Sequence, residues 1–308
     1  MTSTHVVLGA GPVGRAVIAA LVDRGIEPTV VTRSGTEVPG ARSLAADLTD
    51  PEQAAAAVAG ATAVFQCAQP AYHRWPEEFP ALQAHAVDAV ARAAAPGAVL
   101  VVAENLYGYG PVSGPLTEEL PLDATTRKGA TRAAMTAALQ EAKWDGRIQF
   151  VAGRASDFFG PGVEGSAVGD RFFGPLAAGK PTDVVGDPDR PHSYTYVRDF
   201  GEALVRLSET PSTWGQAWHV PNAPAVSTRA FAAQAAAIAG VAPRLRVRPR
   251  WQLRLVGLAI PPVREMVEML YEFEEDFVVD SSRYIEVLGD HHTPLADALT
   301  ATLAAVPA

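Results

Sequence analysis

The clearest chemistry lies near the start of the chain, in Gly9-Ala10-Gly11-Pro12-Val13-Gly14, between an apolar run at 5–8 and an alanine-rich stretch of helical pattern. Glycines at that spacing between a strand and a helix make a turn whose main-chain N–H groups can approach a diphosphate with no Cβ in the way. Gly9 permits the tight turn, Gly11 the close approach and Gly14 the packing of helix on strand. The diphosphate would rest at the positive end of the helix that Pro12 and Val13 begin. At the end of the second strand, where Asp or Glu normally holds a ribose 2′-hydroxyl, the chain reads Thr32-Arg33-Ser34. The carboxylate is absent and Arg33 can grip a 2′-phosphate, so NADP(H) is the expected cofactor, with NAD(H) less favoured. Asp47 is assigned to the adenine edge, with Leu48 beside it also assigned to the cofactor, and Cys67 and Ala68, closing the third strand, to the ribose. Cys67 is expected to pack rather than attack, because no pattern supplies it with a base.

Holding these residues in place requires a sheet, and the pattern predicts one. Strand-length apolar runs fall at 5–8, 29–32, 63–66, 99–103 and 149–151. Helical stretches fall between them at 15–24, 50–58, 80–94 and 130–142. This alternation predicts an α/β fold, a Rossmann-like doubly wound parallel sheet. After about residue 155 the texture changes: Gly and Pro are dense over 159–191, and helical pattern returns at 198–207. The expected division is a dinucleotide-binding domain at 1–155 and a smaller substrate-binding lobe at 156–308. A segment near 218–220 is expected to return to the sheet. The last hundred residues hold a basic stretch at 244–254 and an acidic amphipathic helix at 263–275.

Composition removes several function classes. The 308 residues carry 25 Lys+Arg against 34 Asp+Glu, a net charge of -9, which leaves no excess cation for a phosphate backbone. Nucleic acid is not an expected partner. One cysteine permits neither an internal disulfide framework nor a thiolate metal cluster, and suggests a reducing compartment. With no charged segment leading into an apolar one at the start, a cytoplasmic location is expected. No stretch satisfies a bilayer, so no membrane partner is expected. His291-His292 has no third ligand at helical spacing, and no metal site is expected. A G-x-S-x-G elbow is lacking: Ser113 stands in GPVSG at 110–114.

Taken together, GAGPVG at 9–14, ADLTD at 46–50, NLYGYG at 105–110, KGATR at 128–132, GRASDFFGPG at 153–162 and HSYTYVRD at 192–199 carry a resemblance. Over nearly its whole length the chain resembles the atypical and extended short-chain dehydrogenase/reductase superfamily, in particular its NAD-dependent epimerase/dehydratase-like branch. The resemblance implies a Rossmann lobe, a small C-terminal substrate lobe and a Ser, Tyr and Lys catalytic set. This sequence departs from that set. The serine position falls on Asn105, four residues before Tyr109; the tyrosine and lysine positions fall on Lys128 and Arg132. Lys128 and Arg132 share a helical face, and their like charge is expected to lower the lysine pKa toward a proton-donating range. Lys128 is also assigned to the cofactor. Tyr107 and Tyr109 are alternative donors, and the Asn105 amide can polarise a carbonyl. Tyr107, Phe158, Phe159 and His192 are assigned to substrate, His192 standing where the resemblance leads one to expect a phosphate-holding Arg, with Arg190 nearby. Trp251 and Tyr271 are further pocket candidates, with ordinary core packing the blander alternative. The expected function is an NADP(H)-dependent oxidoreductase moving hydride to or from a carbonyl-like carbon of a small organic molecule. A non-catalytic NADP(H) sensor, and a non-redox isomerase, epimerase or lyase with bound dinucleotide, stay open as alternatives, as does a homodimer.

Overall fold

The computed structural model describes residues 4–306. The outer ends of the two expected lobes, residues 1–3 and 307–308, lie outside the described residues. Strand β1 (His5–Leu8) is buried along its length and passes through the glycine turn into α1 (Pro12–Asp23). Strands β2 (Thr29–Thr32) and β3 (Arg42–Ala45) follow, and then α2 (Pro51–Ala57), whose first turn is capped by the Asp50 carboxylate accepting from Glu52 N and Gln53 N. Strand β4 (Ala63–Gln66) leads through a 3-10 turn (Tyr72–Arg74) into α3 (Trp75–Ala93). Next come β5 (Val99–Asn105), α4 (Arg127–Trp144) and β6 (Gln149–Ala155). The second half continues with β7 (Asp157–Phe159), α5 (Asp170–Ala177), β8 (Thr182–Val185), β9 (Pro191–His192) and β10 (Tyr194–Tyr196). It then runs through α6 (Val197–Glu209), β11 (Ala217–His219), β12 (Val226–Ser227), α7 (Thr228–Ile238) and β13 (Leu245–Arg248). Five helices close it: α8 (Arg250–Gly257), α9 (Pro261–Val267), α10 (Tyr271–Glu274), α11 (Ser282–Leu288) and α12 (Leu295–Ala304).

The main sheet has seven parallel strands in the order β11-β6-β5-β4-β1-β2-β3, the doubly wound arrangement that the alternating pattern predicts. Its central strands are apolar on both faces because helices cover both. On one face α6 lies across α1 so closely that a Cβ on Gly201 would stand 2.4 Å from the Ala16 main chain. Strand β11 joins the sheet beside β6, with Trp218 opposite Gly153. A separate core gathers Phe159, Phe172, Phe173 and Phe231 under α5 and α7.

The acidic segment at 263–275 departs from the single helix expected of it, breaking into α9 and α10. At the break the Glu268 carboxylate accepts from the main-chain N–H groups of Arg127 (2.9 Å) and Lys128 (3.3 Å), a demand from another part of the chain that the local pattern does not reveal. Among the described residues no helix is long and apolar enough to cross a membrane.

Candidate active site

The glycine turn has the geometry its sequence implies. Gly9 has φ +99°, and a Cβ there would lie 2.8 Å from the Ala68 main chain. A Cβ on Gly14 would lie 2.1 Å from the Gly9 carbonyl oxygen. Around Gly11 the space is open, with nothing within 4 Å. Two glycines therefore face protein and the third faces outward at the start of α1, a cradle that fits a dinucleotide diphosphate. Pro12 occupies the first helical turn, where its missing N–H costs nothing, and Val13 packs against Ala16, Val163 and Val197. Arg33 is exposed beyond the end of β2, within electrostatic reach of Asp47. Asp47 is held below the usual carboxylate range by hydrogen bonds from the Thr49 N–H and hydroxyl, at 2.9 and 2.7 Å. Leu48 and Ala68 line a small apolar cavity with Leu8 and Gln66. Burial pushes the Cys67 thiol up to about 12, leaving it un-ionised and without nucleophilic character. These cofactor-assigned residues follow the C-terminal ends of β1, β2, β3 and β4. Lys128 stands apart from them, on α4.

The residues assigned to catalysis divide into two groups. Asn105 closes β5, its amide oxygen accepting from Tyr107 N at 3.3 Å. The Tyr107 hydroxyl lies 3.5 Å from that of Tyr72, whose ring lies 4.4 Å below the Lys128 Nζ. Lys128 is fully buried. Its ammonium donates to the Glu265 carboxylate and, at 3.4 Å, to Glu268, both from the second half of the chain. The neighbours of the amine are thus two carboxylates and an aromatic face, not the arginine expected to repel it. Arg132 turns away, donating to Ala103 O at 3.4 Å with its guanidinium 4.7 Å over the Phe79 ring. A cation four residues along a helix need not share its neighbour's partners when both side chains are long.

Tyr109 belongs to the second group, a buried chain behind the sheet edge. Arg154 donates to Glu104 at 2.8 Å and to the Tyr109 hydroxyl at 2.6 Å. The Tyr109 hydroxyl lies 2.8 Å from His219 Nε2, and His219 Nδ1 lies 3.1 Å from Asp280 O. A carbonyl only accepts, so Nδ1 carries the proton, Nε2 accepts from Tyr109, and the imidazole is neutral. Burial, then Arg154, lower the His219 pKa to about 4.

His192, assigned to substrate, lies in a cluster with Asp157 and Glu272. Its Nδ1 lies 3.0 Å from Glu272 O and its Nε2 3.0 Å from Asp157 Oδ2. The ring is stacked 4.6 Å from Phe273 at an interplanar angle of 8°. Glu272 is 2% exposed; burial and then Asp157 raise its carboxyl well above the usual range. Tyr72, Tyr107 and Tyr271 all feel Asp157 and Glu272, and burial raises all three phenols. The other substrate assignments separate. Phe159 is core, packed on Tyr196 and Phe231; Phe158 packs on Phe200; Trp251 is 60% exposed on α8. His291 bonds Tyr284, and His292 bonds Asp290. Beyond α10 a cleft of about 230 Å³ opens between Gly186, Arg248, Arg250 and Glu274. Sequence reasoning missed Tyr72, Asp157, Glu265, Glu268 and Glu272; only the aromatic density near Tyr72 hints at any of them.

A model of the NAD dependent epimerase/dehydratase family matches residues 5–220. Among solved structures, a UDP-N-acetylglucosamine 4-epimerase from Bacillus cereus is similar at 16% identity and a TM-score of 0.78, covering 98% of this chain and 96% of that one. A UDP-glucose 4-epimerase from Thermus thermophilus, in complex with NAD, gives 19% and 0.77 with 98% of each chain covered. A UDP-glucuronic acid 4-epimerase from Bacillus cereus, also with NAD, gives 15% and 0.78, again over 98% of each. No curated protein matches the sequence. At these identities the likeness is one of fold.

Proposed function

The chain belongs to the NAD dependent epimerase/dehydratase family, and we propose that it binds a nicotinamide dinucleotide on the glycine turn, prefers NADP(H), and exchanges hydride with a carbonyl-like carbon of a small organic substrate. The observation that carries this is the turn itself, where Gly9 and Gly14 admit no side chain and Gly11 opens outward. The bound nicotinamide supplies hydride exchange at its C4. The protein's residues supply the rest. The cradle and Arg33 orient the dinucleotide, the Asn105 amide polarises the substrate carbonyl, and the Tyr107 phenol passes a proton to or from the substrate oxygen. Tyr72 links that phenol to the Lys128 ammonium. Lys128 thus acts on the proton donor through an aromatic ring.

Arg33→Ala tests the cofactor preference by calorimetry. NADPH affinity should fall roughly 10- to 100-fold, as for loss of a charge-assisted contact of about 1.5–3 kcal/mol, with NADH affinity unchanged. Equal losses would remove the preference.

A second reading, a dinucleotide sensor without turnover, draws support from the closure of Lys128 by Glu265 and Glu268. Tyr107→Phe separates the two: a reductase loses turnover of a carbonyl substrate, whereas a sensor consumes no NADPH in either form. The epimerases among the structural neighbours keep a third reading in view, a non-redox isomerase that retains its dinucleotide.

A further inference from the structure

We infer that the outer face of α8 and the turn after it dock on an anionic lipid surface, with Trp251, Leu255 and Leu258 entering the headgroup region and the surrounding arginines meeting the charged headgroups. This stands independently of the dinucleotide reading above.

Two observations carry it. The first is where the exposed apolar side chains gather. Eleven large hydrophobic residues are exposed among the described residues, and six of them fall between Val247 and Ile260. Leu258 is 83% exposed, Trp251 60% and Leu255 59%. Spaced four and three residues apart, these three share one side of the helix. That side is not a core face left unpacked. Leu253 and Gly257 are the buried residues of α8, and a Cβ on Gly257 would stand 2.8 Å from the Arg264 main chain, so α9 already closes the inner face.

The second is the charge around that outer face. Residues 244–264 hold six arginines and no Asp or Glu, in a chain whose net charge is -9. Arg246 and Arg248 share Asp183, Arg250 faces Glu274 at 3.4 Å, and Arg264 faces Glu265 at 3.6 Å. Arg244 and Arg254 are exposed with no carboxylate partner among the described residues. The patch is therefore cationic on an otherwise acidic molecule. Basic side chains beside exposed Trp and Leu suit a bilayer that bears anionic lipid, where the apolar groups leave water and each arginine gains attraction. A second copy of the chain fits worse, because a two-fold contact sets the same patch against itself, arginine against arginine. No described helix can span a bilayer, and a surface contact needs none. The expectation of no membrane partner weighed spanning segments alone.

The test is flotation of the purified protein with vesicles of phosphatidylcholine alone and of phosphatidylcholine with about a third phosphatidylserine. Recovery with the anionic vesicles, falling as salt rises, and little recovery with the neutral ones are expected. No recovery with the anionic vesicles, or equal recovery with both, would overturn the inference. Leu255→Ser combined with Leu258→Ser removes apolar contact at positions that face solvent, so the melting temperature should hold while vesicle affinity falls by roughly tenfold or more. Arg254→Glu should cost about tenfold on the anionic vesicles. Unchanged affinity in either variant would count against the lipid contact and overturn it. So would sedimentation showing a dimer that the double substitution dissociates, because the face would then belong to a second copy.

Discussion

The imidazole of His219 shows how a single residue sets a pH limit on the fold. Both ring nitrogens are committed, Nδ1–H to Asp280 O and Nε2 to the Tyr109 hydroxyl, and that hydroxyl accepts from Arg154. A second proton on the ring would confront the Tyr109 O–H and lie near a guanidinium. The folded-state pKa is accordingly about 4, against 6.5 for a free histidine. Between those values the unfolded chain binds a proton that the folded chain refuses, so stability falls as the pH drops from 6.5 toward 4, by up to about 3 kcal/mol. Above 6.5 the residue contributes no slope. Urea midpoints at pH 7 and pH 4.5 should differ more in the wild type than in His219→Gln; equal differences would place the acid sensitivity elsewhere. Glu104 in the same chain has the opposite balance. Burial pushes its carboxyl up, but Arg154 and Arg132 outweigh it and hold the group ionised.

At the scale of elements, the first turn of α1 separates two uses of glycine. Gly14→Ala would drive a Cβ against the Gly9 carbonyl and should cost several kcal/mol of stability, about that of a severe packing clash. A Cβ on Gly11 would meet no protein atom within 4 Å, so Gly11→Val should lower the melting temperature only slightly, through the helix cap, while calorimetry shows dinucleotide affinity collapsing. If Gly11→Val binds as well as wild type, the cradle assignment fails. This turn was legible in the sequence because its chemistry is local, as were the buried strands whose apolar runs stand between turn residues. Strand β3 was not: all four of its residues are exposed at the sheet edge, so no apolar pattern marks them. Helix α3 begins at Trp75 and not near Pro80, because Trp75 and Phe79 bury against Met135 and hold the helix across the proline. The cluster around Lys128 was illegible for a different reason. Glu265 and Glu268 reach it across more than a hundred residues of chain, and only the fold brings them there.

Across the whole molecule, that ion pair joins the two halves. Lys128 enters from α4 and Glu265 from α9, both buried. Removing one partner of such a pair leaves an uncompensated charge, so Glu265→Gln should destabilise the protein by about 3 kcal/mol, measured by chemical denaturation. A loss below about 1 kcal/mol would show that water or Glu268 alone satisfies the ammonium. The more far-reaching feature is the edge strand β11. The polypeptide leaves the sheet after β6, builds part of the second core, and comes back to lay α6 over α1 and β11 beside β6 before departing again. The two halves are interleaved, like fingers of clasped hands, and neither can be exchanged as a cassette. Grafting another protein's second half onto this sheet would carry off one of its seven rungs, so the chain is best altered by changing side chains within the existing weave.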